Sequence, residues 1–168
     1  MFQSTAIEEN SIKNAVINFL QKDKWNFEEN DNCIRLEYIS EKTAYDCFLD
    51  IYGSDTLIIY TYTCIKIPIE KRLYISEYIT RANFGLIFGN FEMSFSNGMI
   101  RYRTSIGLLN ADLSYETIGQ LLWENLHTID KYFPGIMMVL YGNISPENAI
   151  NQIEDIDNQD AIVVADNN

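Results

Sequence analysis

The chain has 168 residues, and its 24 Asp and Glu against 12 Lys and Arg give a formal net charge of −12. With 47% hydrophobic and 13% aromatic residues it is too apolar to be disordered throughout, and its length is typical of a single domain. The acidic charge would repel phosphate backbones, and no apolar run approaches the ~20 residues of a membrane helix, so we expect neither a nucleic acid nor a membrane as partner.

The amino-terminal segment and the cysteines indicate a cytoplasmic protein. The first ten residues contain no basic region ahead of an apolar stretch, so we expect no secretory signal peptide. The three cysteines stand singly on predicted strands, an odd number without the close spacing of a disulfide framework. This usage is typical of a reducing compartment.

The first third of the chain predicts one helix followed by strands. Segments 33–40 and 44–52 alternate apolar with polar residues, whereas 56–67 is apolar or Thr/Tyr on both faces, as in a central strand. The short connections favour antiparallel pairing. The preceding helix is indicated by apolar residues that recur every three or four positions: Ile12, Ala15, Val16, Phe19 and Leu20.

A second helix is predicted from Pro68, because proline is favoured at the first helical position. Its apolar residues spread over roughly two-thirds of the helical circumference, more than one contact with the core requires. The helix is therefore expected either to be deeply buried or to contact something on a second side. Two of its aromatic residues, Tyr74 and Tyr78, are the candidate dimer-interface residues.

The segment 87–106 predicts a β-hairpin, since both arms alternate and Asn97-Gly98 is typical of a two-residue turn. A long third helix is predicted from Ser114. Pro134 lies inside it and is expected to kink the helix or to divide it in two.

A short last helix is predicted at Ser145-Pro146, and the composition then changes. From Asn151 the chain is rich in Asn, Gln and Asp, and it contains no further basic residue. We therefore predict a single domain over 1–150 and a disordered acidic tail over 151–168.

Two stretches resemble one protein family. The sequence NFGLIFGNFE (83–92), followed by NGMIRYRTSI (97–106), resembles the central signature of YbjN-type domains, and YFPGIMMVLYGNISPENAI (132–150) resembles their carboxy-terminal region. The resemblance implies an α+β fold similar to class I type III secretion chaperones, which are small, acidic, often homodimeric proteins that hold segments of a client. YbjN-like proteins are commonly described as sensory transduction regulators, which names no chemistry.

The expected fold is therefore α+β, with an antiparallel sheet of about five to six strands and helices packed on one face. The predicted order is a helix, three or four strands, a helix, a two-stranded hairpin, a long helix and a short helix. No catalytic, cofactor-binding or metal-binding residues are predicted. The single histidine, His127, has no metal-ligand spacing around it, and Cys33, Cys47 and Cys64 are interpreted as packing residues because their neighbours are mostly acidic.

The hairpin carries the candidate partner-binding site. Its apolar residues must face the helices, and a one-residue slip would reverse every side chain, so the alternate positions face outward. The two arginines there either bind a partner or pair with the chain's own carboxylates. The candidate partner-binding residues are Phe88, Asn90, Glu92, Arg101 and Arg103.

These observations favour a non-enzymatic cytoplasmic protein-binding module, chaperone-like or regulatory, that binds a protein client and forms a homodimer. The alternative is a small-ligand sensor with a pocket between sheet and helices. A tyrosine-rich strand, with Tyr60 and Tyr62, is assigned neither to the core nor to an interface from the sequence.

Overall fold

A computed structural model describes residues 5–109 and 112–165 of the chain, with side chains over 12–109 and 112–155. The described elements follow the predicted order of a helix, four strands, a helix, two strands and two helices. Their bounds are α1 Thr5–Lys22, β1 Phe27–Asn30, β2 Cys33–Ile39, β3 Ala44–Tyr52, β4 Thr56–Lys66, α2 Arg72–Gly85, β5 Asn90–Met93, β6 Met99–Gly107, α3 Tyr115–Tyr141 and α4 Pro146–Ala165.

The six strands form one antiparallel sheet in the order β1-β2-β3-β4-β6-β5. Every strand pair is antiparallel, and α2 and β5 lie in the chain between the neighbouring strands β4 and β6. The prediction of an α+β fold with an antiparallel sheet is confirmed.

The described helices pack on one face of the sheet. Inward side chains of β2, β3, β4 and β6 are buried against them in two apolar clusters, one centred on α1 and the first half of α3, the other on α2, α4 and the second half of α3. The alternation of buried and partly exposed positions along β3 and β4 leaves the opposite side chains on a second face.

The second helix starts later than predicted. Pro68 precedes a short 3-10 turn, Ile69–Lys71, and α2 begins at Arg72. The turn at Asn97-Gly98 is also longer than the two residues predicted. Met93 pairs with Ile100, so the connection spans more than two residues, and Gly98 adopts φ +75° while its N–H donates to the Ser94 carbonyl at 2.7 Å.

The third helix is continuous through Pro134, so its division into two helices is wrong. Proline lacks the N–H that would bond to the carbonyl four residues earlier, in Asp130. The Nζ of Lys42 donates to that carbonyl at 2.9 Å instead.

The last helix continues beyond the predicted tail boundary at 151. Ile153 lies in the apolar core with Ala149 and Ile150, and α4 extends to Ala165. Residues 151–155 therefore pack as part of the domain. Because the side chains of 156–168 lie outside the described residues, an acidic tail that does not pack on the domain stays a prediction for that segment.

Candidate functional site

The face of the sheet opposite the helices is the candidate site, and we call it the outer face. Within the described part of the chain the helices pack only on the other face. The outer face comprises the outward side chains of the strands, among them Glu28, Cys33, Arg35, Glu37, Asp46, Phe48, Asp50, Ile58, Tyr60, Tyr62, Cys64, Lys66, Asn90, Glu92, Met99, Arg101 and Arg103.

The strand register arranges these side chains in rows that cross the sheet. Adjacent strands place directly opposed residues about 5 Å apart, so members of a row are neighbours. One row contains Arg35, Phe48, Tyr60, Arg103 and Asn90, and the next contains Glu37, Asp46, Tyr62, Arg101 and Glu92. Residues separated by up to 68 positions in the chain thus meet on one surface.

Arg101 is held by hydrogen bonds to two neighbours on the outer face. Its Nε and Nη2 both lie 2.6 Å from Oε2 of Glu92, and its Nη1 donates to the Tyr62 hydroxyl at 2.8 Å. Partial burial alone would lower the pKa of Arg101, but the hydrogen bonds with Tyr62 and Glu92 outweigh it and raise that pKa. The guanidinium is therefore a fixed positive charge.

Arg103 is held more loosely. Its Nε lies 3.4 Å from Oε1 of Glu92, and its Nη2 donates to Oδ1 of Asn90 at 3.4 Å. Both arginines thus share one carboxylate, as the pairing interpretation expected. Because two guanidinium groups share a single carboxylate, this corner of the sheet keeps a net positive charge.

The structure brings four of the five predicted partner-binding residues together and leaves Phe88 apart. Asn90, Glu92, Arg101 and Arg103 lie side by side on β5 and β6. Phe88 lies in the loop before β5, which starts only at Asn90, and its carbonyl accepts a hydrogen bond from the Tyr102 hydroxyl. The expectation that Phe88 continues the strand is wrong.

A concavity of about 540 Å³ extends from this cluster over the middle of the outer face. Its lining is mainly aromatic and apolar near Arg101, and it includes Phe48, Tyr60, Tyr62, Ile65 and Met99. Phe48 lies directly opposite Tyr60 in the register, and its ring meets the ring of Tyr62 edge-on, with centroids 5.7 Å apart.

The two candidate dimer-interface residues have different environments. Tyr78 is fully buried, and its hydroxyl donates to the carbonyl of Tyr132 at 2.9 Å. Tyr78 is therefore a core residue and cannot contact a second molecule. Tyr74 is 55% exposed.

The residues considered for chemistry occupy separate places. His127 is exposed on α3, Cys47 is buried, and Cys64 is exposed on the outer face. Burial and the neighbouring Asp50 raise the pKa of Cys33 to about 12, so its thiol stays protonated at neutral pH. Among the described residues no group of three or more His, Cys, Asp or Glu could hold a metal ion.

Comparison with known proteins identifies the family. The family model for YbjN, described as a putative bacterial sensory transduction regulator, matches residues 13–138. The chain belongs to the YbjN family. Its fold is also similar to the crystal structure of YbjN from E. coli, described as a putative transcription regulator, with a TM-score of 0.56 and 13% sequence identity over 78% of this chain and 90% of that one.

No curated protein matches the chain in a sequence search. At 13% identity the likeness to E. coli YbjN shows the fold alone. None of the helices over the described residues is long and apolar enough to cross a membrane.

Proposed function

We propose that this YbjN-family protein is a non-enzymatic, cytoplasmic regulator that acts by binding a segment of a partner protein on its outer face. The observation that carries the proposal is the aromatic concavity beside Arg101, which no described helix covers. A family described as regulators, without named chemistry, is consistent with a binding role.

The residue types of the outer face support a protein partner. Tyrosine and arginine are enriched at the energetically dominant positions of protein interfaces. Tyr60, Tyr62 and Arg101 are half-buried and held by one another, so little side-chain entropy is lost when a partner binds. The net charge of −12 disfavours a nucleic acid as the partner.

A small-ligand pocket between sheet and helices has less support. That layer is filled by two clusters of buried side chains, and the concavity of about 540 Å³ lies on the other side of the sheet. A protein segment is the occupant that an open surface of this kind favours.

We also infer that the chain self-associates through α2 and the turn before it. Ile69 and Leu73 are 76% and 75% exposed, and Phe84 is 96% exposed. Their spacings of four and eleven residues place them on one side of a helical stretch. This apolar stripe takes the place of Tyr78 in the predicted dimer interface.

Site-directed photo-crosslinking in cells tests the binding proposal. Benzoylphenylalanine is placed at Phe48 or Tyr62 on the outer face, and at Trp123, which is 52% exposed on α3, as the control. We expect one and the same protein to be crosslinked from both outer-face positions and not from Trp123. Adducts formed only from Trp123, or from no position, would contradict the proposal.

A double variant adds a second arm. Arg101→Glu with Arg103→Glu reverses the charge beside the concavity while leaving the core untouched. The circular dichroism spectrum should stay nearly unchanged, and the crosslinking yield from Tyr62 should fall about tenfold, the effect of losing roughly 1.4 kcal/mol. An undiminished yield would place the binding site elsewhere.

A further inference from the structure

The charges of the outer face are divided between its two sides. On β1, β2 and β3 four carboxylates accompany one guanidinium, a formal net charge of −3: Glu28, Glu37, Asp46 and Asp50 with Arg35. On β4, β6 and β5 three cations accompany one carboxylate, a formal net charge of +2: Lys66, Arg101 and Arg103 with Glu92. We call these sides the acidic flank and the basic flank.

The two flanks are separated by an apolar strip, which lines the concavity. Ile58, Tyr60 and Tyr62 alternate along the outward side of β4, and Phe48 packs edge-on against Tyr62. The basic flank is unexpected in a chain of net charge −12, because carboxylates outnumber cations two to one overall. The charge of the outer face therefore changes across the strands: it is negative beyond one edge of β4 and positive beyond the other, and the outward residues of β4 between them are mainly apolar.

The sheet also restricts the backbone of its occupant. Over Thr56 to Tyr62, β4 is paired with β3 on one side and with β6 on the other, so the backbone groups there have partners already. An extended segment lying over β4 would lose water from its own N–H and C=O groups without gaining partners, which is costly. A helix satisfies these groups internally.

We propose, on the basis of the proposed function, that the occupant of the outer face is an amphipathic helix of a partner protein. Its apolar stripe lies along β4, basic residues beside that stripe face the acidic flank, and acidic residues on the other side face Arg101 and Arg103. The outward positions from Ile58 to Cys64 span roughly 20 Å at ~3.4 Å per residue, the length of about 14 helical residues.

Three synthetic helical peptides of about 18 residues with one common apolar stripe test this arrangement. The split peptide has lysines on one side of the stripe and glutamates on the other, the mixed peptide has the same composition with the charges alternating, and the neutral peptide has glutamines. We expect the full-length protein to bind the split peptide about tenfold more tightly than the mixed one in fluorescence anisotropy at low salt. The difference should disappear near 1 M salt, where the Debye length is about 3 Å.

Matched variants locate the effect. Arg103→Glu should weaken binding of the split peptide about tenfold and leave the neutral peptide unaffected, because only the split peptide presents its carboxylates together to the basic flank. Lys24→Glu makes the same charge change in the turn after α1, outside both the outer face and the α2 stripe, and should change neither affinity. Tyr62→Ala should weaken the binding of all three peptides, since it removes part of the apolar strip.

The outcomes separate this inference from the proposed function. Equal affinity for the split and mixed peptides, or no binding of any peptide, would contradict the inference that the occupant is a helix with two oppositely charged sides. Crosslinking from Phe48 and Tyr62 would still decide whether a protein binds there. A crosslinked adduct that proves to be a second copy of this chain would also overturn it. Tight binding of the split peptide without any crosslinked protein in cells would instead contradict only the proposed function.

Discussion

The guanidinium carbon of Arg101 lies 4.0 Å from the centroid of the Tyr60 ring, although the residue directly opposite Tyr60 in the sheet is Arg103. Arg101 thus reaches diagonally across β6 and β4, over the ring, while its nitrogens remain bonded to Glu92 and Tyr62. This geometry requires a planar, forked cation, because stacking and paired hydrogen bonding are made at the same time.

Arg101→Lys should therefore destabilise the fold even though the charge is kept. We expect a loss of about 1–2 kcal/mol, because the charged hydrogen bonds are only partly replaced and the stacking is lost. Arg103→Lys is the matched control, since its contacts to Glu92 and Asn90 are both 3.4 Å long. Urea unfolding measures the stability of both variants. Equal losses of stability would show that the stacking of Arg101 on Tyr60 adds nothing to the stability of the fold.

Strand alternation predicted the outward cluster correctly because the side-chain period of a strand is fixed at two. Once the inward side of β6 is known, the orientation of Arg101 and Arg103 follows. Alternation carries no information on where a strand begins, and Gly89, with φ +67°, ends the preceding loop. The alternation continues through Phe88, although Phe88 lies outside the strand.

The helical period could not show that Tyr78 is a core residue. It shows which side chains share a side of α2 but not which sides other helices cover, and α2 is covered by both α3 and α4. Tyr78 is buried by a contact with Tyr132 and Gly135, residues more than 50 positions away. The fold class was predictable from local patterns, whereas the site depended on register and on helix packing.

Gly135→Ala should destabilise the protein through Tyr78. A methyl group at Gly135 would collide with the hydroxyl and ring of Tyr78, whose hydrogen bond to Tyr132 fixes the ring in place. Overpacking of this kind costs about 1–3 kcal/mol, and it adds to any loss of that hydrogen bond. Thermal unfolding followed by circular dichroism measures the effect.

Gly85→Ala is the control for that variant. A methyl group at Gly85 would lie 3.8 Å from Glu154, an ordinary contact, and alanine is the better helix former by up to about 1 kcal/mol. Its melting temperature should be unchanged or slightly raised. If Gly135→Ala behaved in the same way, the packing of Tyr78 against α3 would be looser than described.

Asp130 should make stability depend on pH in the acid range. Burial alone would raise the pKa of its carboxyl, but hydrogen bonds from Ser40, Lys42 and Tyr45 outweigh it and hold the pKa below the ordinary 3.8. A lowered pKa in the folded state stabilises the protein above the ordinary value, and this contribution is lost as the pH falls below it.

Asp130→Asn should remove this contribution. We expect about 1–2 kcal/mol lower stability at pH 7, because the charged acceptor is lost. Stability should also fall less steeply between roughly pH 5 and pH 3 than in the unaltered protein. Urea unfolding across that range measures both, and parallel pH curves for the two proteins would contradict the assignment to Asp130.

Truncation should show how much of α4 the domain needs. A chain ending after Asn148 loses three core residues, Ala149, Ile150 and Ile153, and should be destabilised by about 3–6 kcal/mol for the two isoleucines alone. A chain ending after Asp155 keeps them and should melt within about 4 °C of the full chain, equivalent to roughly 1 kcal/mol. A larger fall for the longer chain would show that residues beyond 155 pack on the domain.

Self-association through the α2 stripe should be abolished by charge. A specific interface buries about 800 Å² on each partner, and exposed side chains as large as Leu73 and Phe84 are the ones that would contribute most of the apolar part. We expect the unaltered chain to show twice its 19.5 kDa mass by light scattering on a size-exclusion column at micromolar concentrations.

Leu73→Asp with Phe84→Asp should restore the single-chain mass, because burying two unpaired carboxylates would cost more than the interface gains. Ile39→Asp with Tyr141→Asp changes two equally apolar residues, each 71% exposed but away from the stripe, and should leave the doubled mass intact. A mass of 19.5 kDa for the unaltered chain at every concentration would refute self-association, and loss of the doubled mass in both double variants would place the contact elsewhere.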